Sequence, residues 1–357
     1  MSAKVEVNSS EVSRKRIIIW LLTGCFFIFT MVVIGGITRL TGSGLSITEW
    51  NVVMGVVPPM NAQEWNESFD KYKATPQFQK LNYDFTVTDF KKIFFWEYFH
   101  RLIGRMIGIV FLVPFLFFLL TGQLNSSMIR KALFLFALGG LQGFLGWFMV
   151  KSGLTERTSV SHYRLAIHLV AAFITFAFTL WFALELIYKN ERENIISLRN
   201  YNGLLKFLFV VVMMQIIYGA FVAGLHAGRF ANTFPTMDGE WIPSGIFSYQ
   251  SFPLNIFENP VTVQFVHRIM AMIIVLLTGW IWLSSDKKEL NQSQRNGIYF
   301  LLFAVGIQFL LGVFTLLSKV NITLASFHQV GAFMLFSSVI FLLFQFRKKE
   351  KTLSPHH

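Results

Sequence analysis

Eight separate runs of about twenty apolar residues divide this chain, and no other feature restricts its fold as tightly. A run of that length crosses the roughly 30 Å hydrocarbon layer of a bilayer as a helix. Inside that layer every backbone polar group must find its partner within the protein. The runs fall at Arg16–Ile37, Ile93–Leu120, Ala132–Val150, Tyr163–Tyr188, Leu204–Gly224, Val261–Ser284, Gly297–Leu317 and Ile322–Phe346. Only 14% of the 357 residues are charged, 54% are hydrophobic and mean hydropathy is +0.53, which excludes a soluble core. The sequence therefore predicts an all-α membrane protein of eight transmembrane helices.

The net charge of +12 does not point to nucleic acid. The cations sit in short connections between spans, where membrane orientation accounts for them. They cluster at Arg14-Lys15-Arg16, Arg130-Lys131, Lys189 with Arg192 and Arg199, Lys287-Lys288 with Arg295, and Arg347-Lys348-Lys349. By the positive-inside rule both termini are cytoplasmic. Residues 1–15 contain Glu6 and Glu11 and no apolar segment, so they read as a tail and not as a signal peptide. A bacterial cytoplasmic membrane is a simpler address than a mitochondrial inner membrane. Cys25 is the only cysteine, which rules out an intramolecular disulfide.

Chemistry enters at Phe95-Trp-Glu-Tyr-Phe-His-Arg-Leu-Ile-Gly-Arg105. Glu97, His100, Arg101, Gly104 and Arg105 share one helix face at the edge of a span. Ionisable groups are costly there and mark a site by default. A second copy, Val263-Gln-Phe-Val-His-Arg268, belongs to an internal repeat. Within that repeat Gln142 and Gly146 match Gln308 and Gly312, and His168-Leu-Val-Ala-Ala-Phe173 matches His328-Gln-Val-Gly-Ala-Phe333. Met31-Val-Val-Ile-Gly-Gly36 similarly resembles Met214-Gln-Ile-Ile-Tyr-Gly219. Each half holds four spans, so both enter the membrane in the same sense, as parallel repeats related by a pseudo-twofold axis. Two four-helix bundles follow: residues 16–190 and 204–346, joined by a cytoplasmic linker at 191–203 and followed by a tail at 347–357.

Four of the eight histidines, His100, His168, His267 and His328, open the even-numbered spans, toward the outer side. Two imidazoles on facing helices at equal depth can supply both axial ligands of a heme iron. His100 with His168 forms one such pair and His267 with His328 the other. Arg101, Arg105, Arg164 and Arg268 lie near these histidines and suit heme propionates, which guanidinium binds in paired hydrogen bonds. The copies differ in one respect: Glu97 in the first is Gln264 in the second. A carboxylate beside a heme can move a proton or stabilise developing charge. The residues thus assign a reaction to the N-terminal half and an electron-handling cofactor to the C-terminal half.

Several motifs resemble one known family. They are Gly35-Gly-Ile-Thr-Arg-Leu-Thr-Gly-Ser-Gly-Leu-Ser46, Glu97-Tyr-Phe-His-Arg101, Arg164-Leu-Ala-Ile-His168, Asn232-Thr-Phe-Pro-Thr-Met237, Val266-His-Arg268 and Phe327-His-Gln329. Together they are similar to the heme A synthases, from about residue 16 to 346. The long first outer segment, with Ile47-Thr-Glu-Trp50 and Pro58-Pro59, resembles the mitochondrial and proteobacterial branch. The resemblance implies oxidation of the C8 methyl of heme O to the formyl of heme A through hydroxylated intermediates. It implies a heme b cofactor on His267 and His328, substrate heme O between His100 and His168, and Glu97 as the catalytic carboxylate. Some members carry a cysteine pair in the first outer loop, and this chain has none. Expected partners are heme O synthase, an electron-transfer partner and a further copy in a homo-oligomer. Two rival readings are a di-heme b-type electron carrier and a heme transporter or chaperone. The Glu97/Gln264 difference favours the enzyme, because a carrier has less need of one carboxylate-bearing site.

Overall fold

The computed structural model describes residues 2–49, 57–156, 158–189, 199–285 and 290–347. The expectations resting on Trp50, Arg192, Lys287, Lys288, Lys348, Lys349 and the tail beyond Arg347 lie outside those residues. The described chain is helical, with eight helices long and apolar enough to cross a membrane: a multi-pass membrane protein. In chain order the helices are α1 (Ser2–Leu40), α2 (Ala62–Lys73), α3 (Pro76–Leu81), α4 (Val87–Leu120), α5 (Ser126–Glu156), α6 (His162–Ile187), α7 (Arg199–Gly224), α8 (Phe252–Glu258), α9 (Pro260–Ser285), α10 (Gln292–Leu317) and α11 (Ile322–Gln345). The spans among them are α1, α4, α5, α6, α7, α9, α10 and α11.

Helix ends follow local chemistry more than hydropathy. α4 starts at Val87, ahead of its apolar run, because Thr86 and Asp89 form a reciprocal capping box that satisfies the first free N–H groups. α10 starts on a second such box, made by Asn291 and Gln294. Asn321 caps α11 by accepting from the N–H groups of Thr323 and Leu324. α1 extends back to Ser2, so the segment predicted as a tail continues the first span.

Contacts link the spans both within the first four and the last four and between them. α1 contacts α4 and α6, and α5 contacts α4 and α6; α7 contacts α9 and α11, and α10 contacts α9 and α11. Between the two sets, α6 meets α7, α1 meets α11, and α6 meets α11. The centre of that junction is aromatic: Phe333 stacks on Phe173 at 4.4 Å and meets Phe176 and Phe29 edge-on at 5.0 and 5.4 Å. In lipid the driving force is dispersion between well-fitted surfaces, because the surrounding tails are as apolar as the side chains.

Long connections crowd one end. In the first, α2 and α3 fold over the protruding start of α4, packing Phe69, Tyr72 and Phe78 against Phe90 and Phe94. Tyr72 is fully buried, accepts from Asn82 Nδ2 at 2.7 Å and donates to Gln77 Oε1 at 3.1 Å. Gln77 in turn donates to the Gly42 carbonyl at 2.8 Å, which anchors this cap to the exit of α1. The second connection holds two short 3-10 turns, Ala227–Arg229 and Ser244–Phe247, followed by α8.

The α6–α7 contact leaves no room for side-chain atoms at Gly224. A methyl group there would stand 2.3 Å from His162 Cβ and 2.7 Å from its Cα, so backbone would have to move. Gly224→Ala is expected to lower the thermal unfolding midpoint of the detergent-solubilised protein, consistent with an overpacking cost of about 1–3 kcal/mol. Gly108→Ala, where a methyl group meets nothing, should not. Equal midpoints for the two variants would contradict this close approach.

Candidate functional site

All four span histidines lie toward the end that carries the long connections, and they come in two pairs. His100 on α4 and His168 on α6 are near enough for their charges to interact, and so are His267 on α9 and His328 on α11. Each pair belongs to one set of four spans. All four rings are surrounded by protein yet keep some accessible surface. Among the described residues no three His, Cys, Asp or Glu side chains converge to hold a metal ion, so the donors are two imidazoles per site.

Each ring rests against a glycine. A methyl group at Gly35 would lie 3.0 Å from His100 Nε2, and one at Gly146 would lie 3.5 Å from His168 Cε1. At Gly219 it would lie 3.3 Å from His267 Cε1, and at Gly312 3.0 Å from His328 Cε1. Buried polar atoms without a hydrogen-bond partner gather at the same places: Nδ1 of His168, His267 and His328, Nε2 of Gln142, and Oε1 of Gln215 and Gln308. A heme needs one imidazole nitrogen from each side and small residues beside a flat macrocycle. The paired imidazoles and the glycines beside them fit that group, with the amides of Gln215 and Gln308 to be displaced from His267 and His328 Nε2.

The two sites are not furnished alike. Gln215 Nε2 lies 3.3 Å from His267 Nε2, and Gln308 Nε2 lies 3.4 Å from His328 Nε2. Among the described residues no glutamine amide bonds to His100 or His168, and Gln142 Nε2 is unpaired. In the sequence Gln142 and Gln308, and Gln215 within Met214–Gly219, mark only the internal repeat. A glutamine one helical turn from a ring-facing glycine (Gln215 before Gly219, Gln308 before Gly312) is the signal that could have found both.

Glu97 is 2% exposed, and both its oxygens are engaged. Oε2 accepts from Ser46 N at 2.7 Å, Ser46 Oγ at 2.8 Å and Ile47 N at 2.9 Å, and Oε1 accepts from Arg101 at 2.7 Å. Arg101 also donates to the carbonyls of Ile47 and Glu49. The pair therefore clasps residues 46–49 onto α4. Gln264 and Arg268 make the matching clasp on α9. Gln264 Nε2 donates to the carbonyls of Ala227 and Phe230, and Arg268 donates to those of Ala231, Thr233 and Thr236 and to Gln264 Oε1. Arg164 lies over the Phe148 ring at 4.6 Å, joining α6 to α5. Arg105 is half-buried near Arg101 and Tyr98.

Arg39, from the first quoted motif, reaches across the two sets of spans. It donates to the carbonyls of Ala223 and Gly224 at the end of α7 and lies 3.1 Å from His226 Nε2. Burial, with Arg39 and Arg229 beside it, pushes the His226 imidazole down to about 4 from its ordinary 6.5. The ring is therefore neutral at pH 7 and able to accept from Arg39.

The cytochrome oxidase assembly protein family COX15-CtaA matches residues 18–340. The chain belongs to this family. Similar members include the heme A synthases of Flavobacterium psychrophilum, 48% identical over 340 residues, and Flavobacterium johnsoniae, 49% identical over 339. Each alignment covers 94% of this chain, with 99% and 98% of the respective relatives. The heme A synthase of Nitrosospira multiformis is 43% identical over 339 residues, covering 94% of this chain and 95% of its own. The COX15-CtaA match spans all four histidines and both clasps.

The clasps give a direct test. Gln264→Glu sets an oxygen against the Ala227 and Phe230 carbonyls and leaves them without this donor, at about 1–3 kcal/mol for each buried acceptor. The expected outcome is a lower unfolding midpoint together with faster protease cleavage of the connection between α7 and α9. Cleavage at the native rate would contradict the clasp.

Proposed function

We propose that this protein makes heme A from heme O, oxidising the C8 methyl of the substrate to a formyl group through hydroxylated intermediates. The reading rests on one observation above all: two separate histidine pairs, one in each set of four spans, in a chain 48% identical to a heme A synthase. His267 and His328 would hold a heme b cofactor, which when bound supplies one-electron redox chemistry. His100 and His168 would bracket the substrate heme. The amides of Gln215 and Gln308 occupy Nε2 of the C-terminal rings, so iron binding through those atoms would displace them. Plainer surroundings and additional cations, Arg105 and Arg164, suit a substrate that must enter and leave.

Glu97 would be the catalytic carboxylate of the N-terminal site, one helical turn from His100. Oε2 accepts the three bonds from residues 46 and 47, while Oε1 accepts from Arg101 and would be the oxygen to take a proton. Loss of the carboxylate charge would weaken the hold on residues 46–49. Arg101 and Arg268 would support the hemes by holding the loop that walls each site, while Arg105 and Arg164 are the better placed to meet propionates. The two sets of spans would be parallel repeats about a pseudo-twofold axis, with both termini cytoplasmic and both heme sites toward the outer side of a bacterial inner membrane. Heme O synthase, as the source of substrate, and an electron-accepting partner complete the setting.

Pigment extracted from the purified protein tests this reading. Heme b together with heme O, hydroxylated heme or heme A is expected; heme b alone in both sites would favour the di-heme carrier. His328→Ala should remove the low-spin heme b spectrum, and persistence of that spectrum would refute the ligand assignment. Glu97→Gln should keep heme b while heme A formation falls at least 100-fold, a typical worth for a positioned acid or base. Native product yield in that variant would remove Glu97 from the chemistry.

A further inference from the structure

The two histidine pairs are joined by a short path through the contact between α1 and α11. Gln329, next in sequence to His328, donates from Nε2 to the Val32 carbonyl of α1 at 2.9 Å. Gly36 makes the approach feasible: a methyl group there would stand 1.8 Å from Gln329 Oε1 and 2.6 Å from its Cδ. The residue before it, Gly35, is the one against which the His100 ring rests. Successive residues on a helix point about 100° apart. Two adjacent glycines of α1 therefore serve two different helices, one receiving His100 of α4 and the other Gln329 of α11. The path His328, Gln329, Val32 and Gly36, Gly35, His100 crosses from one site to the other.

This path has no counterpart across the pseudo-twofold. In the repeat alignment Gln329 corresponds to Leu169, which follows His168 and packs into the apolar cluster containing Tyr218 and Phe221. The α6–α7 contact is thus apolar where the α1–α11 contact carries a hydrogen bond. A polar tether within a span is retained where it fixes register, since without a partner the amide would cost more than it gives.

Resting on the heme reading above, we propose that Gln329 is a positioning residue that couples the two heme sites. Seated on Gly36 and bonded to Val32, it fixes the placement of the His328 ring relative to the His100 ring. The helix backbone of α1 is the rigid element between them. Disturbing either end of the contact would then reach both sites, although neither Gly36 nor Gln329 is itself a heme ligand.

The test is a double-mutant cycle on the full chain, saturated with iron protoporphyrin IX and read by low-spin ferric electron paramagnetic resonance. Gly36→Ala displaces the Gln329 amide, and Gln329→Leu deletes it while keeping its bulk. Each is expected to shift the signals of both bis-histidine sites. The double variant should shift them no further than the larger single variant, because both substitutions break one contact. A merely structural contact would lower the unfolding midpoint and leave both signals at native positions, which would overturn the proposal. A shift confined to the His267/His328 site, or shifts that add, would also overturn it. Absence of any bis-histidine signal in the native chain would instead overturn the heme reading itself, and this inference with it.

Discussion

Lipid offers no hydrogen bonds, so each polar side chain within a span must be matched by the protein or by something the protein binds. Most of the arrangement described here follows from that requirement. Thr38 returns its hydroxyl to the Ile34 carbonyl and also reaches that of Trp96; Gln329 finds Val32; Arg39 finds the open carbonyls at the end of α7. Even the ion pair between Lys131 and Glu185 joins neighbouring helices α5 and α6, with Lys131 also over the Phe182 ring. Unpaired buried atoms occur elsewhere in the spans, at Trp20 Nε1 and Thr278 Oγ1, but Nδ1 of His168, His267 and His328 cluster with unpaired atoms of Gln142, Gln215 and Gln308. A buried polar atom without a partner costs about 1–3 kcal/mol, and that clustering supports the proposed ligand sites.

The spans and the four histidines were legible because their signal is local. Apolar runs identify helices without reference to the rest of the chain, and a histidine in such a run is conspicuous. The helix starts were less so: Thr86 and Asp89 extend α4 beyond its apolar stretch, and hydropathy carries no trace of a capping box. One alignment between the two halves needs adjustment. Sequence similarity set Gly36 opposite Gly219, whereas the glycine that meets a histidine of α4 is Gly35. One residue of register exchanges which neighbour a helix face serves.

The motif from Gly35 to Ser46 carries part of the family resemblance, and its residues have separate duties. Gly35 receives His100, Gly36 receives Gln329, Arg39 closes the end of α7, and Ser46 binds Glu97. Gly42, at φ +68, makes the turn that brings Ser46 back to α4. None of these duties is visible in one dimension, because every partner lies on another helix.

The Glu97/Gln264 difference is where the residue reading and the geometry bear on each other most closely. From the sequence it marks one half as reactive. The structure adds a second cause, the polarity of the loop each residue holds. Residues 46 and 47 present N–H and O–H groups, which a carboxylate satisfies as an acceptor; residues 227 and 230 present carbonyls, which require the amide of a glutamine. Both clasps use the same arginine four residues on, and there the arginine donates to carbonyls in either loop. A carboxylate at position 97 is therefore demanded by the fold before any chemistry is asked of it. That does not remove it from the chemistry, since the clasp also fixes an acceptor of protons one turn from His100. In the proposed reaction the loop and the chemistry would share one side chain. The loop donates three bonds to that carboxylate, so a change in the charge of Glu97 would be felt at residues 46 and 47.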